Sequence, residues 1–233
     1  MVINVHKIPE VLETYFLDEA RTMPTAHWSA AVESVGYLGH AIKRLVGTGV
    51  TAGWALTVQC PAGDSLTSYL AIELMKERTQ HGRWVMVVVP DEGETDAALW
   101  SYMQSAMSWE VGIVGAVVNG YVKDIDEIKM KLEKEFGVFG LGGSPMPSMK
   151  TAYGTIGAPV VLNSVTIRPG DLILADKDGV IAIPKDIIER AFEVARDQIV
   201  HECNQLALVR EGKGPVDILG LEELLKGEVE KGE

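Results

Sequence analysis

Lys123 and Asp124 stand side by side where the apolar run Ile113 to Val118 gives way to Asn119-Gly120-Tyr121-Val122. A cation beside a carboxylate can divide the work on an anionic substrate. Lys123 would hold the anion, and Asp124 would hold a divalent metal directly or through water. A helix cap at Asp124 with a solvated Lys123 accounts for the same pair. Upstream, Ser101-Tyr102-Met103-Gln104 fits a capping box, with Ser101 as N-cap and Gln104 reaching back. A helix N-terminus presents free N–H groups and partial positive charge, a seat for carboxylate or phosphate. An ordinary cap explains these four residues equally.

These residues need elements to carry them. Trp84 to Val89 and Ile113 to Val118 are continuous apolar runs, which predicts parallel strands buried on both faces. A helix over about 101–109 joins them. If the strands are parallel, Lys123, Asp124 and the Ser101 terminus share one end of the sheet, where ligands of such sheets bind. Thr51 to Cys60 alternates as a half-buried strand. Pro61-Ala62-Gly63-Asp64 turns into a helix capped by Asp64 or Ser65 and running to about Gln80. Asp124 to Phe136 is a further helix. Earlier, Trp28, Ala31, Val32, Val35, Leu38, Ala41, Ile42 and Leu45 recur at helical spacing, ended by Gly47 and Gly49.

The second half changes character. Val160–Leu162 and Val165–Ile167 flank Asn163-Ser164, and Leu172–Ala175 and Val180–Ile183 flank Asp176-Lys177-Asp178-Gly179. Both read as hairpins, so the Asp-rich connection is a turn and not a cation site. Asp171 after Pro169-Gly170 is a turn residue. Pro184 opens a long helix to about Arg210, a short acidic helix starts at Asp217, and Leu221 to Glu233 is a solvated acidic end. Parallel units, then hairpins, then outer helices predict a mixed α/β class. Trp28, Trp54, Trp84, Trp100 and Trp109 fall on apolar faces or element ends, which suits core or subunit interface.

Composition narrows the partners. The 233 residues carry 21 Lys+Arg and 33 Asp+Glu, a net charge of −12 at pH 7. So acidic a chain repels phosphate backbones, which argues against nucleic acid. No apolar run nears the ~20 residues of a membrane helix. The segment Met1 to Lys7 has no signal-peptide pattern, so the expectation is a cytoplasmic protein. Cys60 and Cys203 read as two buried thiols, and the five histidines show no metal-ligand spacing. Gly137-Val-Phe-Gly-Leu-Gly-Gly143 follows a helix and so lacks the context of a dinucleotide fingerprint.

The order of motifs resembles the RraA-like proteins, which include class II pyruvate aldolases acting on 4-hydroxy-4-methyl-2-oxoglutarate and 4-carboxy-4-hydroxy-2-oxoadipate. Thr57-Val-Gln-Cys-Pro-Ala-Gly-Asp64 is similar to the family's strand and Pro-Gly-Asp-Asn turn. Ala97-Ala-Leu-Trp100 matches the segment before its Gly-Glu-Leu-Leu loop. Gly115-Ala-Val-Val-Asn-Gly-Tyr-Val-Lys-Asp124 matches its strand ending in Asp-Gly-x-x-Arg-Asp. Val138-Phe139 and Ser144-Pro145 occur where it has Pro-Val-Phe and Thr-Pro. The longest match is Val165-Thr-Ile-Arg-Pro-Gly-Asp-Leu-Ile-Leu-Ala-Asp-Lys-Asp-Gly-Val-Ile-Ala-Ile-Pro184, preceded by Ala158-Pro-Val-Val.

The resemblance implies an α-β-β-α sandwich of the swivelling-domain type, a single domain over residues 1–233, and a homotrimer or homohexamer with sites between subunits. The N-terminal helices and the long C-terminal helix would make subunit contacts. It implies a lyase that uses Mg²⁺ or Mn²⁺ to stabilise a pyruvate enolate from a small 2-oxo acid. The metal position falls on Asp124 and the substrate-holding position on Lys123. The carboxylate seat falls on the N–H groups of Ser101, Tyr102, Met103 and Gln104. A late-helix Glu from a neighbouring subunit aligns with Glu202. Ser101 replaces the family's Gly, Asn119 its Asp, and Lys123 its Arg, which keeps charge without the two-pronged grip. These departures suit a shifted substrate. They also suit a non-catalytic ring that binds a protein partner, as RraA binds an RNA-degrading endonuclease.

Overall fold

A computed structural model describes residues 3–10, 15–29, 36–77, 83–93 and 95–222 of the chain. The chain opens with β1 (Asn4–Val5), α1 (Tyr15–Ala20), α2 (Thr25–Ser29), β2 (Lys43–Val46), β3 (Thr51–Cys60), α3 (Leu66–Lys76) and β4 (Trp84–Pro90). The middle holds β5 (Ala98–Trp100), α4 (Tyr102–Trp109), β6 (Ile113–Val118), β7 (Tyr121–Val122), α5 (Ile125–Leu132), β8 (Gly137–Gly140) and β9 (Gly142–Gly143). The last third holds β10 (Thr155–Ile156), β11 (Val160–Leu162), β12 (Val165–Ile167), β13 (Leu172–Ala175) and β14 (Val180–Ile183). A 3-10 turn at Lys185–Ile187 then leads into α6 (Ile188–Arg210), and α7 (Pro215–Leu219) follows.

The main sheet runs β1-β10-β3-β4-β6-β8-β2. The pairs β3–β4, β4–β6 and β6–β8 are parallel, and the two apolar runs with their joining helix predict the middle one. The ten-residue β3 is long enough for two neighbours on its far side. Its first half pairs β13 and its second half pairs β10, both antiparallel. Alternate side chains feed two cores. Trp54, Leu56, Val58, Trp84, Met86 and Val88 face one side, packed with Leu17, Trp28, Ala71, Met75 and Phe192 from the helices. Ala55, Val85, Val87 and Val89 face the other, against Val160, Leu162 and Ile167 of the β11–β12 hairpin. The layers are thus helices, sheet and hairpin, a mixed α/β fold. Because the hairpin covers the second face, β3 is buried on both sides and not half-buried as its alternation suggested.

Other local expectations divide. Both hairpins form with the anticipated strands. The helix read through Leu45 does not reach it: α2 is described over Thr25–Ser29, and Lys43–Val46 is an edge strand antiparallel to β8. Sheet pairing overrides the helical spacing there, and residues 30–35 of that reading lie outside the described set. So do the approach to Gln80 and the chain after Glu222. Trp28, Trp54, Trp84 and Trp100 are fully buried, whereas Trp109 at the end of α4 keeps 39% exposure. Cys60 is buried, and that burial, with the charges of Asp91 and Asp64, pushes its thiol up to about 12. Cys203 is exposed, which corrects the reading of two buried thiols; its half of α6 runs past the body. Among the described residues, no helix is long and apolar enough to cross a membrane.

Two buried carboxylates hold turns in place. Asp176 accepts from the Thr25 N–H and hydroxyl and the Asp178 N–H, so the β13–β14 turn clamps the start of α2. Asp64, 1% exposed, fastens a segment far along the chain. Its Oδ1 accepts from the Leu66 N–H at 2.8 Å. Its Oδ2 accepts from the Thr151 and Ala152 N–H groups at 2.7 and 3.0 Å, and from the Thr151 hydroxyl at 3.2 Å. Burial by itself would raise this carboxyl, but the hydrogen bonds outweigh it and hold it below its usual range. Asp64→Asn would turn an amide NH₂ toward at least one N–H donor in either orientation of the amide. We expect a loss of about 2–3 kcal/mol at pH 7 in urea unfolding. A lowered folded-state value means this stability is present above the unfolded carboxylate range and lost as pH falls through the folded value. The gap between Asp64→Asn and wild type should therefore close below about pH 4. An equal gap at pH 7 and pH 3 would contradict this.

Candidate functional site

The candidate site is built on a second, three-stranded ribbon, ordered β5-β7-β9 and parallel throughout. Each strand is two or three residues long; β7 and β9 start just past the carboxyl ends of β6 and β8, and β5 follows β4 after a longer connection. The ribbon continues by backbone bonds at its own carboxyl end. The Lys123 N–H donates to the Trp100 carbonyl at 3.0 Å, and the Ser144 N–H donates to the Val122 carbonyl at 3.0 Å. Ser101, Lys123 and Ser144 thereby become neighbours. The segment after β9 then crosses to the far side of β5, where the Ala98 N–H donates to the Met146 carbonyl at 2.8 Å. The Ser144 hydroxyl donates to the Asp96 carbonyl on the way.

The first turn of α4 abuts this end. Ser101 is the N-cap in extended backbone, as its position predicted, but the reciprocal capping box does not form. The Ser101 hydroxyl donates to Gln104 Oε1 at 3.0 Å, and Gln104 Nε2 donates to the Leu99 carbonyl at 3.0 Å. Ser105 joins this network, accepting from Trp100 Nε1 and donating to the Ser101 carbonyl. Ser101 and Gln104 are 4% and 2% exposed, so their side chains satisfy each other inside. The physical reason is burial: the two polar groups cannot reach water and pair locally. The consequence is chemical. No side-chain cap occupies the first-turn N–H groups, so those of Tyr102, Met103 and Gln104 are left for an anion. Met103 is exposed, whereas the Tyr102 ring lies under Lys131, whose Nζ is 4.5 Å from its centroid.

Asp124 caps α5 in left-handed backbone, φ 60° and ψ 30°. That conformation costs about 1–2 kcal/mol in most L-residues and somewhat less in Asp. It makes no side-chain cap bond. Its Oδ2 instead lies 3.5 Å from Lys123 Nζ, with the two side chains 36% and 37% exposed. A pair so open to water is worth about 0–1 kcal/mol, so an incoming carboxylate can draw Lys123 away. Among the described residues, no three His, Cys, Asp or Glu side chains gather into a metal cage. A single exposed carboxylate fits a sparse divalent site, since Mg²⁺ keeps waters and takes one or two carboxylates plus substrate oxygens.

The structure thus gathers Ser101, Tyr102, Met103, Gln104, Lys123 and Asp124 at one end. Glu202 lies elsewhere, on α6, where its Oε2 is 2.9 Å from Nε2 of His27 in the same chain. Sequence reasoning missed Ser144 and β9 as the third wall of the site. The signals for them were the Ser144-Pro145 match and the Gly137–Gly143 run, in which Gly142 adopts φ 154°.

Comparison with known proteins agrees with this architecture. A family model described as RraA-like, Aldolase/RraA, matches residues 20–182. The chain is 33% identical over 184 residues to a protein of Halalkalibacterium halodurans named "Putative 4-hydroxy-4-methyl-2-oxoglutarate aldolase", covering 79% of this chain and 83% of that one. A solved structure of an uncharacterised protein from Pseudomonas syringae superposes with a TM-score of 0.74 at 26% identity, over 90% of this chain and 94% of that one. The RNA-processing inhibitor RraA from Thermus superposes with a TM-score of 0.58 at 27% identity, over 69% of this chain and 92% of that one. With a family model matching residues 20–182 and a relative 33% identical over 79% of the chain, the chain belongs to the RraA-like family.

Proposed function

We propose that the protein is a divalent-metal-dependent lyase that releases pyruvate from a small 2-oxo acid by aldol cleavage or decarboxylation. The observation that carries this reading is the bond from the Lys123 N–H to the Trp100 carbonyl, which sets the α4 terminus beside the Lys123–Asp124 pair. The N–H groups of Tyr102, Met103 and Gln104 receive one substrate carboxylate. Lys123 holds a second oxygen function of the same substrate as a point charge. Asp124 would hold Mg²⁺ or Mn²⁺, which supplies a positive centre for electron density developing on the 2-oxo oxygen.

Aldol cleavage of a 4-hydroxy-2-oxo acid breaks its C3–C4 bond. The 4-hydroxyl gives up its proton and becomes the carbonyl of one product. The electron pair left on C3 delocalises as an enolate and takes a proton back, which gives the methyl group of pyruvate. Glu202 of a neighbouring subunit is the proton carrier in this scheme, in a homotrimer or homohexamer. A second reading, a non-catalytic ring that binds a protein partner, draws on the likeness to the RNA-processing inhibitor and on Lys123 spending its charge on Asp124.

With Mg²⁺ or Mn²⁺ and either oxaloacetate or a 4-hydroxy-2-oxo acid, the protein should release pyruvate. Asp124→Ala should lower the rate about 10²-fold or more, and Lys123→Ala should chiefly raise KM. No pyruvate above background, with Asp124→Ala indistinguishable from wild type, would sink the lyase reading and favour the ring. Stability should move the other way from activity at Asp124. Asp124→Gly relieves the left-handed backbone at the entropic cost of glycine, so its unfolding free energy from urea titration should match wild type or exceed it by up to about 1 kcal/mol. A clear destabilisation would show that the carboxylate supports the fold instead.

A further inference from the structure

α2 is five residues long and is anchored at both ends. At its start, the Thr25 N–H and hydroxyl donate to the buried Asp176 carboxylate at 2.9 and 2.7 Å. Near its end, Trp28 is fully buried and meets Phe192 of α6 edge-on, with ring centroids 4.6 Å apart. Between these anchors, His27 Nε2 lies 2.9 Å from Oε2 of Glu202, and its side chain is only 13% exposed. The other ring nitrogen, Nδ1, is buried and has no hydrogen-bond partner among the described residues.

That pattern selects a tautomer. A neutral imidazole carries one donor nitrogen and one acceptor nitrogen. A proton on Nδ1 alone would set two acceptors face to face at 2.9 Å. A proton on both nitrogens keeps the same Nε2–H donor toward Glu202. A proton on Nε2 satisfies the contact and leaves Nδ1 as a bare lone pair. His27 therefore donates, and Glu202 accepts as a carboxylate.

The setting explains why a donor is needed there. The buried residues of α6 are Ile188, Ala191, Phe192 and Ala195, all in its first third. Glu202 lies two turns beyond the last of them, and its side chain is 52% exposed. A glutamate so placed samples many rotamers unless something holds it.

We propose that His27 is a positioning residue for Glu202, its Nε2–H fixing one carboxylate oxygen so that the ionised group is presented in one orientation for proton transfer. The hydrogen bond from His27 also holds the Glu202 carboxyl below its usual range, with Gln198 and His201 of the same helix adding to the effect. The role rests on the lyase reading and on the part Glu202 takes in it.

The test compares wild type, His27→Ala, His27→Gln and Glu202→Gln as full chains, folded by circular dichroism. Two quantities are read: pyruvate release with Mg²⁺, and the carbon-13 titration of the Glu202 carboxyl. His27→Ala should lower kcat at least about tenfold, a part of what a positioned base contributes, with KM within about twofold. His27→Gln, which keeps an N–H donor at similar reach, should recover most of kcat. The Glu202 carboxyl should titrate higher in His27→Ala than in wild type. Wild-type kcat in His27→Ala, or His27→Gln as impaired as His27→Ala, overturns the positioning role alone. Full activity in Glu202→Gln removes the group being positioned. A wild type that releases no pyruvate overturns the lyase reading and this role with it.

Discussion

Backbone hydrogen bonds between β5, β7 and β9 decide where every candidate group of this protein sits. The ribbon is parallel, so all three strands point their carboxyl ends one way. Its last bonds, from Lys123 to Trp100 and from Ser144 to Val122, bring the cap of α4 and the cap of α5 together. Two helix N-termini then converge on one spot, each with partial positive charge. The main sheet makes this possible by being buried on both faces. Its core strands can move little, so the short segments that spring from their ends inherit fixed positions.

The electrostatics follow from that convergence. A chain with a net charge of −12 opposes the approach of an anion, so an anionic substrate needs a local positive centre. The ribbon end concentrates what is available: unoccupied first-turn N–H groups, the Lys123 ammonium, and a carboxylate able to recruit a divalent cation. Ser101 could have filled those N–H groups with its own hydroxyl. Burial turned that hydroxyl onto Gln104 instead, and the serine at this loop position thereby leaves the first-turn N–H groups without a side-chain cap. The left-handed backbone at Asp124 belongs to the same account. A strained cap that makes no cap bond is retained where its carboxylate faces outward beside Lys123.

The other half of the proposed chemistry depends on a different kind of constraint. α6 is anchored by its first third and carries Glu202 well past its last buried residue. Asp176 in a hairpin turn holds Thr25, α2 holds His27, and His27 holds Glu202. A polar relay of this kind substitutes for packing where the helix leaves the core. Among the histidines, whose spacing showed no metal-ligand pattern, His27 is the one with a carboxylate partner among the described residues.

Local chemistry was sufficient for much of this. Continuous apolar runs marked the parallel strands because both faces of β4 and β6 are buried. Turn residues marked both hairpins, and the caps at Ser101 and Asp124 followed from residue type beside a periodic run. The same logic failed at Lys43–Val46, where helical spacing persisted but the chain pairs with β8. Edge pairing supplies hydrogen bonds that a periodicity argument does not see. Strands of two or three residues, such as β7 and β9, are shorter than one readable period. Other side-chain pairs join residues far apart in sequence: Asp64 with Thr151 across 87 positions, His27 with Glu202 across 175. Composition, strands, turns and caps were therefore written locally in the amino-acid sequence, because each depends on a residue and its near neighbours. The orientation of Ser101, the strain at Asp124 and the partner of Glu202 were decided by tertiary structure, because burial and distant backbone set which polar groups must satisfy one another.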